Sequence, residues 1–248
     1  MKKVLLGSTG LQVSRLAFGT GTNGEGGKSD QSLLGIEVLS GLLQKGYRNG
    51  VNFWDTADAY GTHPHVAKAL ETVPRKDVVI LTKTMSRQYH GVKGDIERFL
   101  IELQTDWIDI VLLHAMTDRR WTEKYRGARD ALSMMKKAGR IRSVGVSCHS
   151  LGALRATAED EWADVVMVRM NYKGIHMDST HKKILTMLRG LHDSGTGIIG
   201  MKVFGVGKLA SDAKEAIDFV FSLGLIHAVT IGMMDRVMME ENIQNMGD

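Results

Sequence analysis

The sequence predicts an α/β chain folded as a (β/α)8 TIM barrel behind a short N-terminal β-hairpin, and three observations predict it. Eight short apolar runs of strand length occur along the 248 residues. Longer amphipathic stretches of helical period separate them. No Pro-, Gly- or Ser-rich linker and no shift of composition interrupts the chain, so residues 1–248 read as one domain. Repeated strand–helix units give a parallel sheet covered on both faces, and in about 250 residues its closed form is the barrel. An open doubly wound sheet is the alternative.

The elements follow in order. "KKVLLGSTGLQVSRL" reads as a hairpin turning at Gly7 to Gly10. The eight strand runs are 15–20, 50–55, 78–83, 108–114, 141–147, 163–171, 197–204 and 227–233. Helical stretches occupy 32–46, 65–73, 93–104, 129–139, 150–159, 180–195 and 211–224. In the first, Leu33, Leu34, Ile36, Val38, Leu39, Leu42 and Leu43 form a broad apolar face. Gly46, Gly139, Gly195 and Gly224 stand where helices are expected to stop.

Composition narrows the class. With 43% hydrophobic and 24% charged residues the chain has an ordinary globular profile, and the formal charge is +4. The bases are scattered, which fits solvated helix faces rather than a nucleic-acid surface. No stretch approaches the ~18 apolar residues of a membrane span. The N-terminal apolar run reaches Gly7-Ser8-Thr9-Gly10 too soon for a signal peptide. The single cysteine, Cys148, excludes an intrachain disulfide and any cysteine-based zinc or iron–sulfur site. A reducing cytoplasm is the expected location. The oligomeric state is not readable.

In such a barrel, chemistry sits where the C-terminal strand ends converge. The second strand run ends in Asp55, with Tyr60 in the loop of "NFWDTADAYG". The third ends in Lys83, the fourth in His114, the fifth in Ser147-Cys148 and the sixth in Asn171. Burying Asp55 beside Phe53 and Trp54 costs several kcal/mol unless a partner holds it. A carboxylate, a phenol, an ammonium and an imidazole at one rim offset that cost only by pairing with each other. Together they suit an acid. A phenol titrates near 10, a neighbouring ammonium favours the phenolate, and an aspartate keeps that lysine charged and oriented. The imidazole can donate to the oxygen that receives the phenolic proton. This fits proton delivery to a carbonyl oxygen, and a hydride must then come from a cofactor.

"NFWDTADAYG", "VVILTK", "IDIVLLH" and "GRIRSVGVS", with the opening "LGSTGLQVSRLAFGTG" and the closing "TIGM…EENI", resemble the aldo-keto reductase superfamily over essentially the whole chain. The resemblance implies a barrel that uses NADPH or NADH to reduce small aldehydes or ketones. It implies a catalytic tetrad of Asp55, Tyr60, Lys83 and His114, with Tyr60 as the acid. It also implies a nicotinamide near Ser147, Cys148 and Asn171, with Gly19 and Thr20 beside the cofactor. The family usually has Asn at Cys148 and often Gln at Asn171. Its nicotinamide-stacking Tyr is replaced by Met201 in "GMKVFGVG". Lys202, Phe204, Gly205 and Gly207 follow as the expected pyrophosphate loop, where glycine admits close backbone approach. Gly232, Arg236, Glu241 and Asn242 fit the adenosine stretch. Met238 stands where many members carry Arg or Gln, and Arg236 or Lys202 is the substitute cation, so NADPH is favoured slightly over NADH.

Other motifs fail on context. "GTGTNG" satisfies G-x-G-x-x-G, but "EGGKSD" separates it from the helix and no acid lies twenty residues on. "GVGKLAS" lacks the P-loop Ser or Thr. His63 and His65, like His176 and His181, lack acidic or cysteine company, so no metal site is expected. The fifteen methionines read as core. The loop after His114 offers Trp121 as a substrate wall and Arg119 or Arg120 for an anionic substrate, or is merely solvated. The chain ends near the family's last barrel helix, before the usual C-terminal substrate loop, and the resemblance leaves open either a solvent-exposed site or a truncated sequence. A non-catalytic, cofactor-binding redox sensor or regulatory subunit of the same fold is the competing expectation.

Overall fold

A computed structural model describes residues 1–247. Strands β1 (Lys3–Leu5) and β2 (Gln12–Ser14) form the N-terminal hairpin. The barrel strand β3 (Leu16–Gly19) follows, then α1 (Ile36–Arg48), β4 (Phe53–Asp55), α2 (His63–Leu70), β5 (Val79–Thr84) and α3 (Tyr89–Glu102). Next come β6 (Ile108–Met116), the one-turn α4 (Trp121–Lys124), α5 (Arg126–Lys137), β7 (Ile141–Cys148), α6 (Leu151–Ala158) and β8 (Val165–Arg169). The chain ends with α7 (His181–Asp193), β9 (Gly197–Met201), α8 (Ala213–Ser222), β10 (Ala228–Gly232) and α9 (Arg236–Asn245). Strands β3 to β10 pair in parallel in chain order, and β10 closes on β3. The expected closed barrel is formed, and the open sheet is not.

Alternation along the strands makes two apolar layers. Ala17, Phe53, Leu81, Ile110, Leu112, Val165, Met167, Ile199, Met201 and Ala228 fill the barrel interior. Phe18, Trp54, Ile80, Val111, Val146 and Val168, one residue out of phase, pack beneath the helices. The hairpin adds Leu6, Leu11 and Val13 to the inner layer and so plugs the N-terminal end. Asn52 fastens that plug: its Oδ1 accepts from Ser14 N (2.7 Å) and its Nδ2 donates to Gln12 O (2.9 Å). The opposite, C-terminal mouth is left for polar side chains.

Several boundaries differ from expectation. Gly46 lies inside α1, and the turn is made by Gly50 at φ 88°. Gly139, Gly195 and Gly224 do follow their helices at positive φ, as αL caps require. Strand β9 stops at Met201 because Lys202 turns at φ 55°. The loop after His114 carries α4, and Trp121 is fully buried there, its Nε1 donating to Ala153 O (3.2 Å). Trp121 therefore packs edge-on against Trp162 in the helix layer and is no wall of the barrel mouth.

Candidate active site

Asp55 and Lys83 are the last inward-facing residues of β4 and β5, two positions beyond the inner-layer Phe53 and Leu81. Both are almost fully buried. Lys83 Nζ donates to Asp55 Oδ1, to Thr56 O (2.9 Å) and to Tyr60 Oη (3.4 Å). The other carboxylate oxygen of Asp55 accepts from Thr230 Oγ1 (2.6 Å) on β10, with only β3 between the two strands. A buried lysine is tolerable only with its hydrogens so engaged. Burial opposes the ammonium, but Asp55 and Tyr60 outweigh it and hold the Lys83 pKa above its ordinary value.

Tyr60 ends a single 3-10 turn, Asp58–Tyr60, and Gly61 reverses the chain at φ 65°. Its ring lies against Gly21 and Gly24, at each of which a Cβ would collide with the aromatic carbons. Asp58 anchors the turn from outside through Arg98 (2.8 Å), which also grips Asp95 and Glu102. Tyr60 Oη stands 3.4 Å from His114 Nε2 as well as from Lys83 Nζ. Burial pushes the phenol above its ordinary value, and Lys83 counters that push while Asp55 adds to it. The ammonium thus limits a rise rather than producing the fall expected from sequence. At neutral pH the phenol keeps its proton.

His114 is positioned by an irregularity in β6. Three residue steps from Leu113 to Met116 face two on β7, and Ala115 takes φ 50°. Such a bulge re-aims a side chain beside a site, and a left-handed alanine marks local strain. Arg87 staples this corner, donating to His114 O and to the carbonyls of Thr84, Met85 and Ser86. Burial, then the charges of Lys83, His149 and Arg87, hold the His114 pKa down to about 2. The ring is neutral, and its Nδ1 is buried without a partner.

The structure therefore brings Asp55, Tyr60, Lys83 and His114 into one hydrogen-bonded group at the barrel mouth. The residues expected around a cofactor are distributed differently. Ser147 faces inward, and its buried Oγ has no partner. Cys148 turns toward α6, where its Sγ lies 3.4 Å from Thr157 Oγ1, and burial pushes its thiol up to about 12. Asn171 spends its amide on Ile175 and on Lys202 O. Thr20 ties β3 to Asp55 O and Thr62. A Cβ on Gly19 would press on β10 at Thr230 and Ile231, and one on Gly232 would strike Thr22. Met201 lies inward at the top of β9, beside Lys202. Phe204 packs on the outer core, while Gly205 and Gly207 turn at positive φ. Arg236 pairs with Glu240, Glu241 is exposed, and Asn242 donates to Met238 O (2.8 Å) within α9. Among the described residues, no three His, Cys, Asp or Glu side chains gather as a metal site.

Sequence reasoning missed Arg169, His149 and Asp178. Arg169 follows Met167 by two on β8 and so faces inward opposite Met201. It donates to His149 Nδ1 (2.8 Å) and to Asp178 Oδ1 (2.8 Å). The available signal was a lone arginine on the inward phase of "VVMVRMN".

Comparisons with known proteins bear on the family and the fold. The sequence profile of the aldo/keto reductase family matches residues 15–221. The L-galactose dehydrogenase of Arabidopsis thaliana is 26% identical over 216 residues, covering 82% of this chain and 66% of that protein. The NADH-specific methylglyoxal reductase of Escherichia coli (strain K12) is 26% identical over 170 residues, covering 59% of this chain and 52% of that one. The chain thus spans less than two thirds of the length of either relative. The structure of an aldo-keto reductase from Bacillus halodurans in its holo form superposes with TM-score 0.81 at 19% identity, covering 100% of this chain and 91% of that one. That likeness speaks to the fold.

Proposed function

This chain belongs to the aldo/keto reductase family, and from that premise we propose that it is a nicotinamide-dependent oxidoreductase that reduces small aldehydes or ketones to alcohols, with Tyr60 as proton donor. The observation that carries the reading is the position of Tyr60 Oη, 3.4 Å from both Lys83 Nζ and His114 Nε2 at the open end of the barrel. A carbonyl oxygen lodged there accepts from the phenol and from the neutral imidazole. As negative charge develops on that oxygen, Tyr60 transfers its proton to it. Lys83 stabilises the phenolate left behind, and Asp55 and Thr230 keep the ammonium in place. General acid help of this kind is worth ~10²–10⁴-fold in rate.

The residues present fit a nicotinamide dinucleotide. The unpartnered, buried Ser147 Oγ suits a carboxamide, and Met201, inward on β9, offers a thioether face. Lys202, Phe204, Gly205 and Gly207 would take the pyrophosphate, and Gly232, Arg236, Glu241 and Asn242 the adenosine. Bound there in its reduced form, the nucleotide supplies a hydride to the carbonyl carbon. Half-buried Lys202 makes no ion pair among the described residues, feels the more distant charge of Asp178, and is the cation that favours NADPH over NADH. Cys148 and Asn171 are already engaged within the protein, which leaves the carboxamide chiefly to Ser147.

The test is oxidation of NADPH, and separately of NADH, on adding 4-nitrobenzaldehyde to the purified protein. Turnover with tighter NADPH binding is expected. Met201 at the stacking position gives the non-catalytic redox sensor its one specific support, and nucleotide binding without turnover would favour it.

A further inference from the structure

His149 lies at the top of β7, directly after Cys148, and its ring meets His114 edge-on at 6.2 Å between centroids. Its Nδ1 is 2.8 Å from a guanidinium nitrogen of Arg169. A guanidinium has only donors and stays charged, so Nδ1 must be the bare acceptor and the proton must sit on Nε2. Arg169 is held in turn by Asp178 (2.8 Å) and by His176 O (3.4 Å). The Nε2 of His149 has no protein partner, yet it is not among the sealed, unsatisfied polar atoms. Solvent therefore reaches it, and the ring itself stands at the rim beside His114, close enough to feel the charges of Lys83 and Lys202.

We propose that His149 is a substrate-specificity residue, fixed as its Nε2–H form by Arg169 and Asp178, that donates a hydrogen bond to an oxygen on the carbon next to the reacting carbonyl. The substrate class is then α-oxo and α-hydroxy carbonyl compounds. This rests on the reductase reading above. Two oxygens on neighbouring carbons can lie as close as two hydrogen-bonded atoms. One of them held at Tyr60 and His114 leaves the other beside the ring that abuts His114. The donor is neutral in the working range because burial and its cationic neighbours oppose a second proton. Burial, then Arg169, Lys202 and Lys83, hold the His149 pKa down to about 3. Asp178 is the carboxylate on this side, and it is occupied by Arg169. Arg169 is a positioning residue that acts through His149.

Glycolaldehyde and propanal, matched in size, test this with NADPH as reductant. The wild-type protein should prefer glycolaldehyde in kcat/KM. His149→Phe, which keeps the ring packing and removes the donor, should lower the glycolaldehyde-to-propanal ratio by about tenfold, the effect of one neutral hydrogen bond. His149→Gln, which restores an N–H, should recover most of it. Nitrogen-15 spectra of labelled histidine should show His149 protonated on Nε2 alone from pH 7 to 5, and Arg169→Met should abolish that single form. An unchanged ratio in His149→Phe, or an Nδ1–H ring in the wild type, overturns the proposal. So does weakened NADPH binding with the ratio intact, which would give His149 to the nucleotide. Reduction of neither aldehyde by the wild type would instead remove the reductase reading beneath it.

Discussion

Replacing His114 with Gln should make the fold markedly less sensitive to acid. The imidazole is 7% exposed, and its pKa is held down to about 2 by burial and by Lys83, His149 and Arg87. In the unfolded chain it titrates near 6.5. A depressed native pKa means stability that is present above 6.5 and lost as pH falls, because the unfolded chain takes up a proton that the native state refuses. At pH 4.5 the gap is two pH units, or about 3 kcal/mol. For a chain of this length that is roughly 5–11 °C of melting temperature. Carboxylates contribute their own acid dependence in both proteins, so the informative quantity is the difference between variants. Melting of wild type and His114→Gln at pH 7 and pH 4.5, followed by circular dichroism, measures it. The wild type should lose several degrees more than the variant. Parallel losses would refute the claim that this ring is buried and neutral among cations.

Other perturbations probe the same pocket. Lys83→Met should cut turnover by two orders of magnitude or more, and it should destabilise the fold by about 3–5 kcal/mol, because Asp55 is left buried and unpaired; adding Asp55→Asn should recover part of the stability in thermal melts. Gly21→Ala should displace the Tyr60 ring, since its Cβ would enter the space the ring fills, and lower kcat at least tenfold in steady-state kinetics. Asn52→Ala should loosen the hairpin plug and cost about 1–3 kcal/mol in denaturant unfolding.

The barrel is legible in the sequence because its parallel strands are covered on both faces and read as unbroken apolar runs. Asp55, Lys83 and His114 stand out because each breaks such a run at its C-terminal end. What escapes the sequence depends on pairing. The bulge at Ala115 is a register event, visible only when β6 lies against β7. Arg169 is hidden because its meaning comes from inward phase and from His149 on the neighbouring strand. Cys148 and Asn171 follow the expected order along the chain, yet Cys148 falls on the outward phase after Ser147 and Asn171, past the end of β8, bonds the loop that follows it. Trp121 lies in a stretch whose short helix no periodicity announces, and packing on Ala153 and Trp162 buries it. The sign of the Tyr60 shift also escapes: desolvation competes with the ammonium, and only the folded environment decides the balance.

The most direct measurement is a comparison of wild type and Tyr60→Phe for NADPH binding, read by fluorescence, and for aldehyde reduction. The expected result is nucleotide affinity within a few fold of wild type and turnover reduced by at least two orders of magnitude. Undiminished turnover without the phenolic hydroxyl would contradict the assignment of Tyr60 as the proton source.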